Sequence, residues 1–128
     1  MSNGGFTPQN RVEFEAGTEI FREGEDADAA FLVLEGKVEV RKQTPGGDKV
    51  VATLGNGDAV GEMALFGATT RTAHAVAVEP TKAYRLSRAD FEKRVAGTDP
   101  VLRRMVTILV TRLRDATAEL ARLHPDDP

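Results

Sequence analysis

Short hydrophobic runs with partial alternation fill residues 12–86 and predict β-strands. Examples are Phe31-Leu32-Val33-Leu34 and Val38-Glu39-Val40, and turns that contain Gly separate such runs about every eight to twelve residues. The clearest hairpin signal is the tip at residues 44–48, with strands expected at 37–42 and 49–54, because Pro presets a turn and Gly accepts positive φ. A second turn at 55–58 and a strand rich in β-branched residues and alanine at 70–78 complete the pattern.

Two helices follow the β region. Ser87 and Asp90 have the spacing of a helix-start cap, and this predicts a short helix at 88–96. Asp99-Pro100 begins the second helix, because Asp accepts free N–H groups and Pro tolerates the first helical position. Neither Gly nor Pro interrupts the chain again before Pro125. We therefore predict a long C-terminal helix at 100–123.

The long helix carries an apolar seam. Its apolar residues alternate spacings of four and three, as heptads do: Leu102, Val106, Leu109, Leu113, Ala116, Leu120 and Leu123. One interpretation is packing of the seam on the protein's own β region, as any amphipathic helix requires a partner face. The other, slightly favoured, is a homodimer or a protein partner bound through this helix.

Length and composition indicate one globular domain. The chain has 128 residues, 41% hydrophobic and 29% charged, and no apolar run approaches the roughly 20 residues that cross a bilayer. We expect a flexible N-terminus at 1–10, a domain at 11–124 with a β-barrel at 11–86, and a disordered tail at 125–128. Residues 1–10 lack the basic start and apolar stretch of a secretory signal, so we expect the cytoplasm and no membrane partner.

Charge and cysteine content narrow the function classes. The formal net charge of −3 disfavours a general nucleic-acid footprint, and nucleic acid is not an expected partner. The absence of cysteine excludes disulfides and thiolate metal sites. The two histidines, His74 and His124, are about fifty residues apart, so no metal site and no cofactor are expected.

The strongest chemical signal is Gly61-Glu62-Met63-Ala64-Leu65, followed after a short spacer by Arg71-Thr72-Ala73. Arg offers a planar fork that can bond two phosphate oxygens, and a short helix after Gly61 would add N–H donors. A Glu carboxylate only accepts hydrogen bonds, which suits a ribose hydroxyl beside the phosphate. Residues 61–73 therefore predict a site that binds a sugar and a phosphate together.

The run GEMALFGATTRTA resembles the phosphate-binding cassette of the cyclic nucleotide-binding domain family. Gly17, Gly24, Gly36 and Gly57 also lie where that family turns between strands. Val60 stands where an aromatic is usual, and Thr70 stands where Pro is common, so the departures concern pocket shape. The resemblance implies an antiparallel jelly-roll β-barrel followed by a short helix and a long C-terminal helix.

The resemblance also implies a ligand and roles for the site residues. We expect cAMP, with cGMP as the rival, because Thr at position 72 accompanies guanine preference in some members and cAMP binding in others. The expected ligand-binding residues are Gly61, Glu62, Met63, Ala64, Arg71, Thr72 and Ala73. The resemblance further implies that the long helix forms a lid over the base. The candidate lid residues are Asp115, Ala116 and Thr117.

Two alternatives to a nucleotide sensor remain open from the sequence. Arg71 could be an exposed strand residue paired with Glu62, and the chain would then be an interaction protein of the same fold without a nucleotide. A cupin-like enzyme would need clustered histidines around a metal, and the sequence shows no such cluster and no catalytic residues. We expect a regulatory module, not an enzyme, acting without its own DNA-binding, kinase or channel domain.

Overall fold

The computed structural model describes residues 10–123, except for the side chains of Arg114, Thr117, Ala118 and residues 120–123. Residues 1–9 of the expected flexible N-terminus at 1–10, His124 and the expected tail at 125–128 lie outside the described residues. The chain divides into two compact units, one ending at Arg88 and one beginning at Ala89. No helix among the described residues is long and apolar enough to cross a membrane.

The described part of the first unit contains eight strands, with a 3₁₀ helix between the sixth and the seventh. The strands are β1 Arg11–Phe14, β2 Glu19–Phe21, β3 Ala29–Glu35, β4 Val38–Thr44, β5 Gly47–Leu54, β6 Ala59–Val60, β7 His74–Ala77 and β8 Thr81–Ser87, and the 3₁₀ helix Glu62–Phe66 lies between β6 and β7. One antiparallel sheet has the order β1-β8-β3-β6 and the other has the order β2-β7-β4-β5.

The two sheets share one hydrophobic core. Its buried members come from both sheets: Phe21, Phe31, Val33, Val38, Val60, Ala75 and Ala83. Alternation along a strand places every second side chain on this inner face, which is why partly polar strands still form a continuous core. The predicted fold class, a jelly roll of antiparallel strands followed by two helices, is confirmed.

The β4–β5 hairpin has the predicted tip. Thr44 pairs with Gly47, so Pro45 and Gly46 form a two-residue connection, and both strands reach closer to it than the sequence predicted. The turn between β3 and β4 needs Gly36, which has φ +121°, and a Cβ there would lie 2.5 Å from Thr81 Oγ1. A side chain at position 36 would therefore be both strained and obstructed.

The predicted strand at 70–78 is too long. The strand β7 contains only His74–Ala77, and residues 70–73 instead run beside the loop before β3. Arg71 N–H donates to Glu25 O, and Gly24 N–H donates to Arg71 O, both at 2.8 Å. These bonds to a loop replace the sheet ladder at the position that matters most for the site.

The second unit contains α1, which begins in the first unit and spans Arg88–Ala96, and α2, Pro100–Leu123. Asp99 caps α2 as predicted, because its Oδ1 accepts from Val101 N–H at 2.8 Å and from Leu102 N–H at 3.4 Å. The seam residues Leu102, Val106, Leu109, Leu113 and Ala116 are exposed in the single chain. The side chains of the last two seam residues, Leu120 and Leu123, lie outside the described part.

Candidate functional site

The residues that predict the site begin in a tight turn. Gly61 has φ 71° and ψ 28°, a left-handed conformation that favours glycine, and it starts the 3₁₀ helix Glu62–Phe66. The helix ends at Gly67, also left-handed, whose N–H donates to Met63 O. Ala64 is buried, whereas Glu62 is exposed and Met63 is half-buried. The carboxylate of Glu62 is therefore open to a ligand while the small Ala64 is packed inside.

Arg71 is buried rather than exposed. Only 7% of the residue is accessible to solvent, and its Nη2 donates to Ala29 O at 2.6 Å. Its Nη1 donates to Gly61 O at 3.3 Å, and its guanidinium carbon lies 4.0 Å from the centre of the Phe21 ring. Arg71 is therefore held in place by two carbonyls and an aromatic face.

The charge of Arg71 has no direct counter-ion among the described residues. None of the ion pairs found there includes it, and its Nε is buried without a hydrogen-bond partner. Burial lowers the pKa of Arg71 from its ordinary value, and the charges of Asp28 and Glu25 act in the opposite direction. Arginine nevertheless remains protonated in proteins, so the site holds a cation with an unused donor.

Gly61 and Arg71 fit closely against each other. A Cβ built on Gly61 would lie 2.5 Å from Arg71 Nη1 and 3.0 Å from Cε2 of Phe21. Only a residue without a side chain leaves the guanidinium where it is. The structure thus brings Gly61 and Arg71, ten positions apart in sequence, into direct contact.

The loop before β3 fixes the main chain of residues 69–71. Besides the two bonds at Arg71, Ala27 N–H donates to Thr69 O at 2.9 Å. Such paired backbone bonds remove freedom from the segment that carries the guanidinium. Thr72 follows with an exposed side chain and Ala73 is half-buried, and neither lies in β7. The hydroxyl of Thr72 is therefore accessible to a ligand beside Arg71.

The predicted lid residues lie in a different unit from the residues around Arg71. Asp115 and Ala116 are exposed residues of α2, and Thr117 lies in the same helix with its side chain outside the described part. Their role over a base stays a prediction. The sequence interpretation that paired Arg71 with Glu62 on the surface does not match the burial of Arg71.

Sequence reasoning missed three contributors to this site. Phe21 supplies the ring against Arg71, Ala29 supplies its shortest hydrogen bond, and Arg88 bonds to the residues around the 3₁₀ helix. None of them lies near residues 61–73 in sequence. Phe21 looked like an ordinary strand residue and Arg88 like a surface residue of α1, so no local signal distinguished them.

The described part of the chain contains no group of three or more His, Asp or Glu side chains that could hold a metal ion. His74 Nε2 instead lies 3.0 Å from Asp48 Oδ2 across the sheet from β7 to the β4–β5 hairpin. This pair accounts for the one histidine in the described part.

The chain is similar to several known proteins. The family model for the cyclic nucleotide-binding domain matches residues 11–97. The Cyclic AMP receptor protein of Thermus thermophilus is 37% identical over 105 residues, which are 81% of this chain and 49% of that protein. A CRP-like cAMP-activated global transcriptional regulator of Mycobacterium tuberculosis is 27% identical over 113 residues, which are 88% of this chain and 50% of that protein.

A solved structure resembles the chain as well. The cGMP-bound form of the EAL enzyme Bd1971 superposes with a TM-score of 0.67 at 28% identity, covering 85% of this chain and 29% of that one. Its cAMP-bound form gives 0.66 at 27% identity, covering 87% and 30%. The chain spans about half the length of the two curated relatives named above. From the family match over residues 11–97, the chain belongs to the cyclic nucleotide-binding domain family.

Proposed function

We propose that this chain binds a cyclic nucleotide, cAMP or cGMP, and acts as a regulatory sensor rather than an enzyme. The observation that carries the proposal is the buried Arg71 guanidinium, which has no described carboxylate in ion-pair contact and one buried N–H without a partner. A buried charge is costly unless an opposite charge or several hydrogen bonds compensate it. A cyclic phosphate, with one negative charge and acceptor oxygens, supplies both.

The neighbouring residues fit the remaining parts of such a ligand. Glu62 presents an exposed carboxylate one residue after Gly61, where it would accept a hydrogen bond from the ribose 2′-hydroxyl. Ala64 and Ala73 are small, and Gly61 leaves main-chain groups approachable. In this proposal Arg71 binds the phosphate, Glu62 binds the sugar, and Asp115, Ala116 and Thr117 cover the base.

The proposed ligands have direct counterparts among the relatives. The two curated relatives carry cAMP in their names, and the EAL enzyme has been solved with cAMP and with cGMP. We propose cAMP as the main ligand and cGMP as the rival. In the relatives the domain forms part of a longer protein. For this chain we further propose a cytoplasmic location and an output that passes to a protein partner.

A thermal-shift panel tests the proposal. A ligand that binds only the folded state stabilises it by about 2.7 kcal/mol at a hundredfold excess over Kd, which corresponds to a rise in Tm on the order of 10 °C for a domain of this size. We expect such a rise with cAMP or cGMP and none with 5′-AMP or 5′-GMP, whose phosphates are not cyclic. An unchanged Tm with both cyclic nucleotides at millimolar concentration would refute the proposal.

One observation favours a second candidate, an interaction protein of the same fold that binds no nucleotide. Two nitrogens of Arg71 already donate to the carbonyls of Ala29 and Gly61, so protein groups meet part of its hydrogen-bonding capacity. An unchanged Tm in the thermal-shift panel would support this candidate.

Thr72 offers a test of base selection. We expect Thr72→Ala to lower affinity for cGMP roughly 2- to 13-fold while changing cAMP affinity less, because a neutral hydrogen bond contributes about 0.5–1.5 kcal/mol and guanine offers an amine donor. Competition between the two nucleotides measures the ratio. Thr70→Ala, at another exposed threonine, is the matched control. Equal losses for both nucleotides would show that Thr72 does not select the base.

The exposed seam of α2 gives the sensor a surface for its output. Leu102 and Leu109 expose 61% and 56% of their areas, values that are high for large apolar residues. We propose that this face binds a second copy of the chain or a protein partner. A ligand that changes the position of α2 would then change what this face contacts.

A further inference from the structure

Arg88 connects three parts of the first unit through one side chain. Its Nε donates to Ala64 O at 2.7 Å, and its Nη2 donates to Ala27 O at 2.7 Å and to Ala68 O at 2.5 Å. Ala64 belongs to the 3₁₀ helix, Ala68 follows that helix, and Ala27 lies in the loop that pairs with residues 69–71. All three acceptors are main-chain carbonyls, so the contact depends on backbone position alone.

The same residue is also the first residue of α1. Its main-chain N–H donates to Asp28 O at 2.8 Å, one residue after the carbonyl of Ala27 that its side chain holds. The carbonyls near the end of a short helix lack partners within that helix, and a cation there satisfies them and opposes the helix dipole. Arg88 is therefore bonded to the 3₁₀ helix and to the loop, and it is itself the residue at which α1 begins.

We propose that Arg88 is a positioning residue that couples the occupancy of the Arg71 site to α1. The inference rests on the proposed function, since it requires a ligand at Gly61 and Arg71. Gly61 is the N-cap of the 3₁₀ helix and its carbonyl accepts from Arg71, so a phosphate that reorients the guanidinium changes the contacts of the residue that begins this helix. A shift of the helix moves Ala64 O and Ala68 O, and the rigid fork of Arg88 transmits that shift to the residue from which α1 departs.

The chemistry of the side chain is specific to this role. A guanidinium has five N–H donors in a plane and keeps its charge, so it can hold three carbonyls in one fixed arrangement. A lysine at position 88 would keep the cation, but its single ammonium on a flexible stem would not fix three carbonyls together. The variant Arg88→Lys therefore separates the geometry of the contact from its charge, and Arg88→Met removes both.

The test compares ligand-induced hydrogen exchange in the amides of residues 89–96. Wild type, Arg88→Met, Arg88→Lys and the control Arg22→Met are each measured without nucleotide and at saturating cAMP, with affinity from calorimetry. Arg22 is a suitable control because its side chain is 70% exposed and bonds to Glu19 at 2.8 Å. We expect Arg88→Met to lose roughly 2- to 30-fold in affinity and most of the ligand-induced change in α1, because residues that couple sites alter binding by such factors.

Each outcome bears on the inference. A role limited to stability would lower Tm yet leave the ligand-induced change in α1 intact at saturation, and that result would overturn the coupling. Retention of most of the change in Arg88→Lys would show that charge alone suffices and would also overturn the proposed geometry. If Arg88→Met does not fold, the ligand-induced exchange of residues 89–96 in Arg88→Lys decides whether the inference stands. If wild type itself fails to respond to cAMP and cGMP, the proposed function fails first, and the coupling fails with it.

Discussion

Arg71→Met is expected to lower the affinity for cyclic nucleotide by about ten- to a hundredfold, because a charge-assisted hydrogen-bonded contact contributes roughly 1.5–3 kcal/mol. The residue carries the one buried guanidinium whose Nε has no partner in the described part of the chain. Methionine preserves an unbranched side chain against Phe21 and removes the charge and all donors. Isothermal titration calorimetry with cAMP and with cGMP measures the loss.

Two further variants make this result interpretable. Arg71→Lys keeps the positive charge but not the planar fork, so we expect an affinity between those of wild type and Arg71→Met. Arg22→Met removes an exposed arginine and should bind as wild type does. Urea unfolding of each variant checks that the fold survives. Equal affinities for wild type and a folded Arg71→Met would contradict the role of Arg71 as the phosphate contact.

Gly61→Ala is expected to weaken binding by about tenfold or more, although it adds a single methyl group. The new Cβ would lie 2.5 Å from Arg71 Nη1, so the guanidinium would have to move. Moving the buried guanidinium would break its bonds to Ala29 O and Gly61 O, so the displacement costs stability and also damages a contact that requires fixed geometry. The left-handed φ of 71° adds a stability loss of about 1–2 kcal/mol.

Gly57→Ala is the matched control for this effect. Gly57 also has positive φ, at 87°, but a Cβ there meets nothing within 4 Å. Gly61→Ala should therefore lose at least as much stability as Gly57→Ala in urea unfolding, and only Gly61→Ala should lose nucleotide affinity in calorimetry. A parallel loss of affinity in the two variants would show that backbone strain, rather than displacement of Arg71, is responsible.

The fold class was predictable because its signals are local. Turns that contain Gly mark the ends of the strands, and Asp99-Pro100 marks the start of α2 with an N-cap that the structure confirms. Each of these signals occupies a few adjacent residues. The strand predicted at 70–78 failed for the opposite reason, because Thr70 and Arg71 pair with a loop more than forty positions earlier.

The site was predictable only as far as its consecutive residues extend. Residues 61–73 carried enough spacing information to single out Gly61, Glu62 and Arg71. The burial of Arg71 depends instead on Phe21 and Ala29, which come from β2 and β3, and no periodicity in the sequence connects those strands to position 71. The bonds of Arg88 to three carbonyls likewise follow from the folded arrangement rather than from residue type.

Calorimetric titration of the wild-type chain with cAMP and with cGMP tests the central claim most directly. The proposed roles of Arg71 and Glu62 predict saturable heat with one ligand per chain for at least one of the two nucleotides, and no comparable heat with 5′-AMP or 5′-GMP. The absence of binding heat with either cyclic nucleotide up to millimolar concentration, with the chain shown to be folded in the same buffer, would contradict the account.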